Sequence, residues 1–264
     1  MPEEKRYLKL HLIVLVLVVL AELIGTKSYK LGPGTLVLLP MLYALLLGIL
    51  TGPKFLKIVD MEDMKAAGPL ITVSVLLLMA KYGTNIGPTL PLIIKSGPAL
   101  ILQEFGNLGT VLLGLPFALL LGLRREAIGA TFSIAREPNI AIISDMYGLD
   151  SAEGRGVMGV YMAGTVFGSI FFGLFAGFAA TSLPLHPYAL AMASGVGSAS
   201  MMSAAVGALT EIFPTIAEEI TALGAASNLA SGADGVYMSI FIALPICEWM
   251  YRRIMGNRME EAVK

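Results

Sequence analysis

The chain has 264 residues, 56% hydrophobic and only 14% charged, with a mean hydropathy of +0.78 and a net charge of −1. Soluble domains carry about 25% charged residues, so a water-soluble globule is excluded and a polytopic α-helical membrane protein is expected. The charge argues against nucleic acid as a partner. One cysteine, Cys247, excludes an internal disulfide and reads as a packing residue. Two histidines, His11 and His186, are too few and too scattered for a metal site.

Residues 1–9 are polar, with Lys5, Arg6 and Lys9, and a first apolar run covers 10–25. Such a start also describes a signal peptide, but no small-x-small cleavage site follows. Residues 29–33 read as a turn and 34–50 as a second helix. Residues 51–68 form a polar connection with Lys54, Lys57 and Lys65, suited to the membrane surface. A third helix covers 69–82. A broken element follows at 83–104, interrupted at Lys95, Ser96, Gly97 and Pro98, and then a short helix over 105–123 ends at Arg124 and Arg125. The run 127–148 carries Arg136, Glu137 and Pro138 near its middle. Asp150 to Glu153 resemble a capping box that starts a helix reaching about residue 180. Residues 183–187 turn the chain, and 188–208 read as one span rich in Gly, Ser and Met. After a polar stretch at 210–235, residues 236–250 close on Trp249, Tyr251, Arg252 and Arg253, a composition suited to the headgroup boundary.

The polar stretch 210–235 has a twin at 84–109. Thr84 and Thr210, Ile86 and Ile212, Pro88 and Pro214, Thr89 and Thr215, Gly106 and Gly232, and Gly109 and Gly235 all lie 126 residues apart. Elsewhere the offset drifts from 122 to 126, as between Gly25 and Gly148 or Gly48 and Gly173. This is the weak internal symmetry of a transporter. Residues 1–123 are read as a first membrane repeat and 124–264 as a second, together one membrane domain. Five elements per half invert the second half, giving about ten transmembrane elements as two inverted five-element repeats with broken helices. A four-plus-four arrangement with re-entrant broken pieces is the alternative, and it places Arg124 and Arg125 inside.

Polar groups at membrane depth are expensive and so mark function. Gln103, Glu104 and Asn107 in the first broken element, and Asn228, Ser231 and Asp234 in the second, offer the oxygens that suit Na⁺. Glu104 and Asp234 are also proton carriers by type. Asn107 and Asn228 are shared with a solute site. The competing reading is that these residues cap or bind neighbouring helices. Arg136 presents a planar fork for a substrate carboxylate, with Asn139 beside it; the alternative is a structural pair with Glu137 or Asp145. Ser198 and Ser200 either face the solute or belong to a small-residue packing helix. The Gly164/Gly168 and Gly173/Gly177 pairs read as helix contacts. Lys95, Glu218 and Glu219 stay open between the site and the water boundary.

The motifs at 130–138, 153–158 and 195–202 resemble a prokaryotic family of uncharacterised membrane proteins. That family is similar to the 2-keto-3-deoxygluconate permeases and, remotely, to the sodium–bile acid symporters. The resemblance implies ten helices in two inverted repeats, with the fourth and ninth broken and crossing near the coupling ions. It implies that Gln103, Glu104 and Asn107 lie near Asn228, Ser231 and Asp234. The expected function is a secondary active transporter of a small organic anion, coupled to Na⁺ or H⁺. It would be a multi-pass homodimer of the cytoplasmic membrane, with no cofactor beyond Na⁺ and no enzyme activity. A passive channel or facilitator is the first rival. An intramembrane enzyme is the second, though no Ser/His, paired-Asp or zinc-ligand arrangement supports it.

Overall fold

The first apolar run forms α1 together with the charged residues before it (Glu3–Ile24); from Leu12 to Leu20 it is apolar on every side and mostly exposed, as a lipid-facing helix is. The structure, a computed structural model, describes residues 3–31, 34–132 and 136–263. The turn expected at 29–33 belongs to a hairpin of β1 (Lys27–Leu31) and β2 (Gly34–Leu38), antiparallel, with Lys27 opposite Leu38. The second helix therefore starts later than expected, as α2 (Pro40–Thr51). Pro40 explains the boundary: proline fits the first helical turn and would break an interior. The polar connection is also shorter than expected. Asp60 caps α3 (Met61–Lys95): its side chain accepts from the Asp63 amide at 2.7 Å, and Asp63 accepts from the Asp60 amide at 3.2 Å.

Helix α3 holds Pro69, Pro88 and Pro91 and ends at the expected interruption. Ser96 separates it from α4 (Gly97–Gly106), and Asn107 and Leu108 separate α4 from α5 (Gly109–Leu120). The run 127–148 divides into α6 (Glu126–Thr131) and α7 (Arg136–Tyr147), with Ser133 among the residues outside the description. The cap expected from Asp150 comes instead from Ser151, whose Oγ accepts from the Gly154 amide at 2.9 Å. Glu153 turns to Arg125. Helix α8 (Ala152–Ala163) continues through one π-helical turn (Gly164–Gly168) into α9 (Ser169–Ser182).

The single span expected at 188–208 is two helices, α10 (Pro187–Ser194) and α11 (Ala199–Ile212). Gly197, at φ +102°, takes a conformation other residues hold only under strain, and Ser198 then caps α11. The interruption within the second polar stretch falls at its proline. It lies at Phe213 and a 3₁₀ turn (Pro214–Ile216), and α12 (Ala217–Met238) runs unbroken through Asn228 and Asp234. A second π-helical turn (Ser239–Ala243) leads into α13 (Leu244–Val263).

Among the described residues, three helical stretches are long and apolar enough to cross a membrane: Glu4–Ile24, Gly97–Leu120 and Pro214–Gly256. Shorter apolar helices include α2, α9 and α11. The buried side chains gather in two cores. One joins α5, α6, α7, α8 and α13 around Leu115, Ile128, Phe132 and Ile143. The other joins α10, α11 and α12 around Met202, Leu209, Ile220 and Leu223, with α3 and α9 against it. Both long rods run from one core to the other: α8 packs in the first and α9 against the second, while α12 packs in the second and its end, from Val236, joins α13 in the first.

Close approach is written into glycines. A Cβ on Gly129 would lie 1.9 Å from the Glu153 carbonyl oxygen, and one on Gly156 would lie 2.0 Å from that of Glu126. Helices α6 and α8 thus touch backbone to backbone. Gly173 meets Ala204 of α11, and Gly177 meets Thr35 of β2, so both glycines make contacts within one chain.

Candidate functional site

Helix α4 crosses α12 where each carries a polar stripe. On α4, Gln103, Glu104 and the closing Asn107 fall within one turn. On α12, Ser227, Ser231 and Asp234 follow a spacing of four and three residues, which places them on one face. The two stripes meet. Ser231 Oγ donates to Glu104 Oε1 at 2.8 Å, and Asn107 Nδ2 donates to Glu104 Oε2 at 2.7 Å. Gln103 Nε2 donates to Glu104 Oε1 and Ser231 Oγ, each at 3.3 Å. Glu104, Asn107, Ser227 and Ser231 are all buried.

The other wall is the break between α10 and α11. Asn228 Nδ2 donates to the carbonyl oxygens of Gly195 (2.9 Å) and Gly197 (3.1 Å), two acceptors freed by the unwinding. Ser227 Oγ has one proton and two acceptors, the Met192 carbonyl oxygen at 2.7 Å and Gln103 Oε1. A Cβ on Gly195 would stand 2.3 Å from Ser227 Oγ, so the break presses directly onto α12.

Glu104 receives three donors, an arrangement that suits a carboxylate. Asp234 differs. Its carboxyl interacts with that of Glu104, and its Oδ1 is buried with no hydrogen-bond partner among the described residues. Among those residues neither carboxylate forms an ion pair with Lys or Arg. Two carboxylates, two carboxamides and two hydroxyls therefore converge without a side-chain cation. Such a set can take a proton or a monovalent hard cation.

Six residues singled out in the sequence thus come together: Gln103, Glu104, Asn107, Asn228, Ser231 and Asp234. Ser198 and Ser200 border them at the start of α11. Ser198 Oγ accepts from the Met201 amide at 3.3 Å and lies 2.9 Å from Ser200 Oγ, which accepts from Ser169 at 3.3 Å. Asn139 is fully buried on α7, in the first core. Arg136 opens α7, and its side chain lies outside the described residues. Sequence reasoning missed Ser227 and the Gly195 and Gly197 carbonyls. The signal for Ser227 was its place four residues before Ser231, hidden in a run of small residues.

No curated protein and no solved structure matches the chain. Residues 19–253 match the family described as a protein of unknown function (DUF3100), and the chain belongs to that family.

Proposed function

We infer that the protein is a secondary transporter that moves a small organic anion, a carboxylate by class, coupled to Na⁺ or H⁺. The observation that carries this reading is the acidic cluster between α4 and α12, with two carboxylates and no basic partner among the described residues. Ionisable groups are retained at membrane depth where they handle ions, and unwound backbone is tolerated there where it lines a cavity. The α10–α11 break next to Asn228 fits that second rule. The coupling ion is assigned to Glu104 and Asp234, with Gln103, Asn107, Asn228 and Ser231 around it. Ser198 and Ser200 border the solute, and Arg136 and Asn139 are offered to its carboxylate. Inverted repeats belong to the same proposal, supported by Gly25 and Gly148, which end α1 and α7 at φ +69° and +82°. So does a motion of one core against the other about the π turns, since such turns recur at functional sites. Homodimerisation and the cytoplasmic membrane belong to the proposal as well.

The test is uptake of radiolabelled small carboxylates into proteoliposomes under an imposed Na⁺ or pH gradient. Accumulation above equilibrium supports the reading. Uptake that only equilibrates makes the protein a facilitator. If Glu104→Gln and Asp234→Asn both keep the ion dependence, the site assignment is wrong.

A further inference from the structure

We propose that the groove between α1, α2 and α3 binds the acyl chain of an anionic phospholipid, with Lys54 at its mouth holding the headgroup. The cavity has a volume of about 730 Å³, and its walls include Val14, Leu45, Gly48, Phe55 and Met64, with Lys54 the one charged lining residue. A second groove of about 300 Å³ adjoins it through Leu17, so the two tails of a diacyl lipid have separate places. Both volumes lie at or above the roughly 300 Å³ lower limit of small-molecule sites, too large for water alone to be the natural content of so apolar a wall.

Three observations fix the occupant. The first is chemical. The groove is apolar along its length, and its one charged lining residue is the exposed Lys54, of a type whose stem can lie along apolar surface with its ammonium in water. The second is charge. Lys54 and Lys57 form no ion pair among the described residues, whereas Arg6 and Lys9 nearby pair with Glu62 and Asp63. These pairs bring the α1 start to the α3 start and neutralise Arg6 and Lys9 there, which leaves Lys54 and Lys57 as the unpaired cations of the 52–60 loop among the described residues. The third is the loop itself. Phe55, Leu56 and Ile58 are exposed beside the two free lysines. Apolar and cationic side chains together on one exposed loop suit the headgroup–acyl boundary, where anionic lipids attract Lys and Arg.

The test is native mass spectrometry of the full-length protein titrated with phosphatidylglycerol or with phosphatidylcholine of the same tails. The wild type is expected to retain phosphatidylglycerol about fivefold more strongly, the contribution of one well-placed lysine. Lys54→Gln removes that preference and leaves the weaker retention of both lipids. Gly48→Trp lowers retention of both. A Cβ at Gly48 meets no atom within 4 Å, so the new side chain grows into the groove rather than into the backbone. Ala44→Phe, from the neighbouring turn of the lining, gives a second filling variant. Equal retention of the two lipids by the wild type overturns the proposal. So does wild-type binding by Lys54→Gln together with either filling variant, and so does a lipid-free dimer that Gly48→Trp dissociates.

Discussion

Two polar clusters in this chain are built on opposite terms. Arg125, just ahead of α6, donates through Nε to Glu153 of α8 and through a terminal nitrogen to Glu248 of α13 at 2.8 Å. The Tyr147 hydroxyl donates to Glu248 at 2.9 Å, and the rings of Tyr147 and Tyr251 lie 5.9 and 5.5 Å from the guanidinium carbon. Arg252 adds a second cation 3.5 Å from Glu248. Every carboxylate there meets a cation. Among the described residues, the carboxylates around Glu104 meet only amides, hydroxyls and each other. Leaving a charge buried and unpaired costs several kcal/mol. The first cluster is electrically complete and ties three helices together. On the proposed reading a proton or cation completes the second, and that difference is what supports proposing a transported ion.

The largest effect tests that difference directly. Ion and solute binding in a coupled carrier reinforce each other by roughly 5–150-fold. Glu104→Gln and Asp234→Asn are expected to collapse that factor towards one, read as solute affinity with and without Na⁺ or at two pH values. Arg125→Ala should leave the factor as it is. Its effect falls on stability: Glu153 and Glu248 lose their shared partner. Breaking a buried pair costs about 3–5 kcal/mol, and the 41% exposure of the Arg125 side chain brings the expectation to about 2 kcal/mol. A thermal melt reads this as a drop of several degrees. If Arg125→Ala changed ion dependence and Asp234→Asn changed only the melt, the comparison would be reversed.

Within the acidic cluster the amides and the carboxylates also divide their work. Asn228 holds the Gly195 and Gly197 carbonyls, and Asn228→Ala leaves both without a donor. The expected cost is about 1–3 kcal/mol, seen in the melt, with the sign of the ion effect unchanged. Such a role was only half visible in the sequence. Intramembrane Asn228, Ser231 and Asp234 stood out because polar groups among apolar runs are costly, and the resemblance paired them with Gln103, Glu104 and Asn107. The α10–α11 break did not stand out. Its Ser, Gly and Met composition also describes a close-packed helix, and only the distant Asn228 decides between the two. The hairpin was hidden for a similar reason. Thr35 to Leu38 is an apolar run too short for its period to tell strand from helix. Pro40, which bars the helix from starting earlier, was the clue to its end.

The smallest effect concerns a third carboxylate, buried like Glu104 but paired like Glu248. Asp63 is fully buried and accepts a hydrogen bond from the Lys9 ammonium, with Arg6 Nε 3.2 Å away. The Lys9 bond, helped by the Asp60 amide and Arg6 and opposed by burial, holds the Asp63 carboxyl below its ordinary value. A carboxyl lowered on folding is ionised in the native state while the unfolded chain still binds a proton. Its stabilisation is complete above the unfolded value of about 3.9 and is lost as pH falls through the lower native value. Lys9→Met should cost about 1 kcal/mol at neutral pH, since Arg6 remains, and should flatten the fall in melting temperature below about pH 4. Parallel acid limbs for the wild type and Lys9→Met would show that Asp63 owes its ionisation to partners other than Lys9, the Asp60 amide and Arg6 among them. The pairing that sets the groove-bearing α1 against α3 would then rest on Arg6 and apolar contact alone.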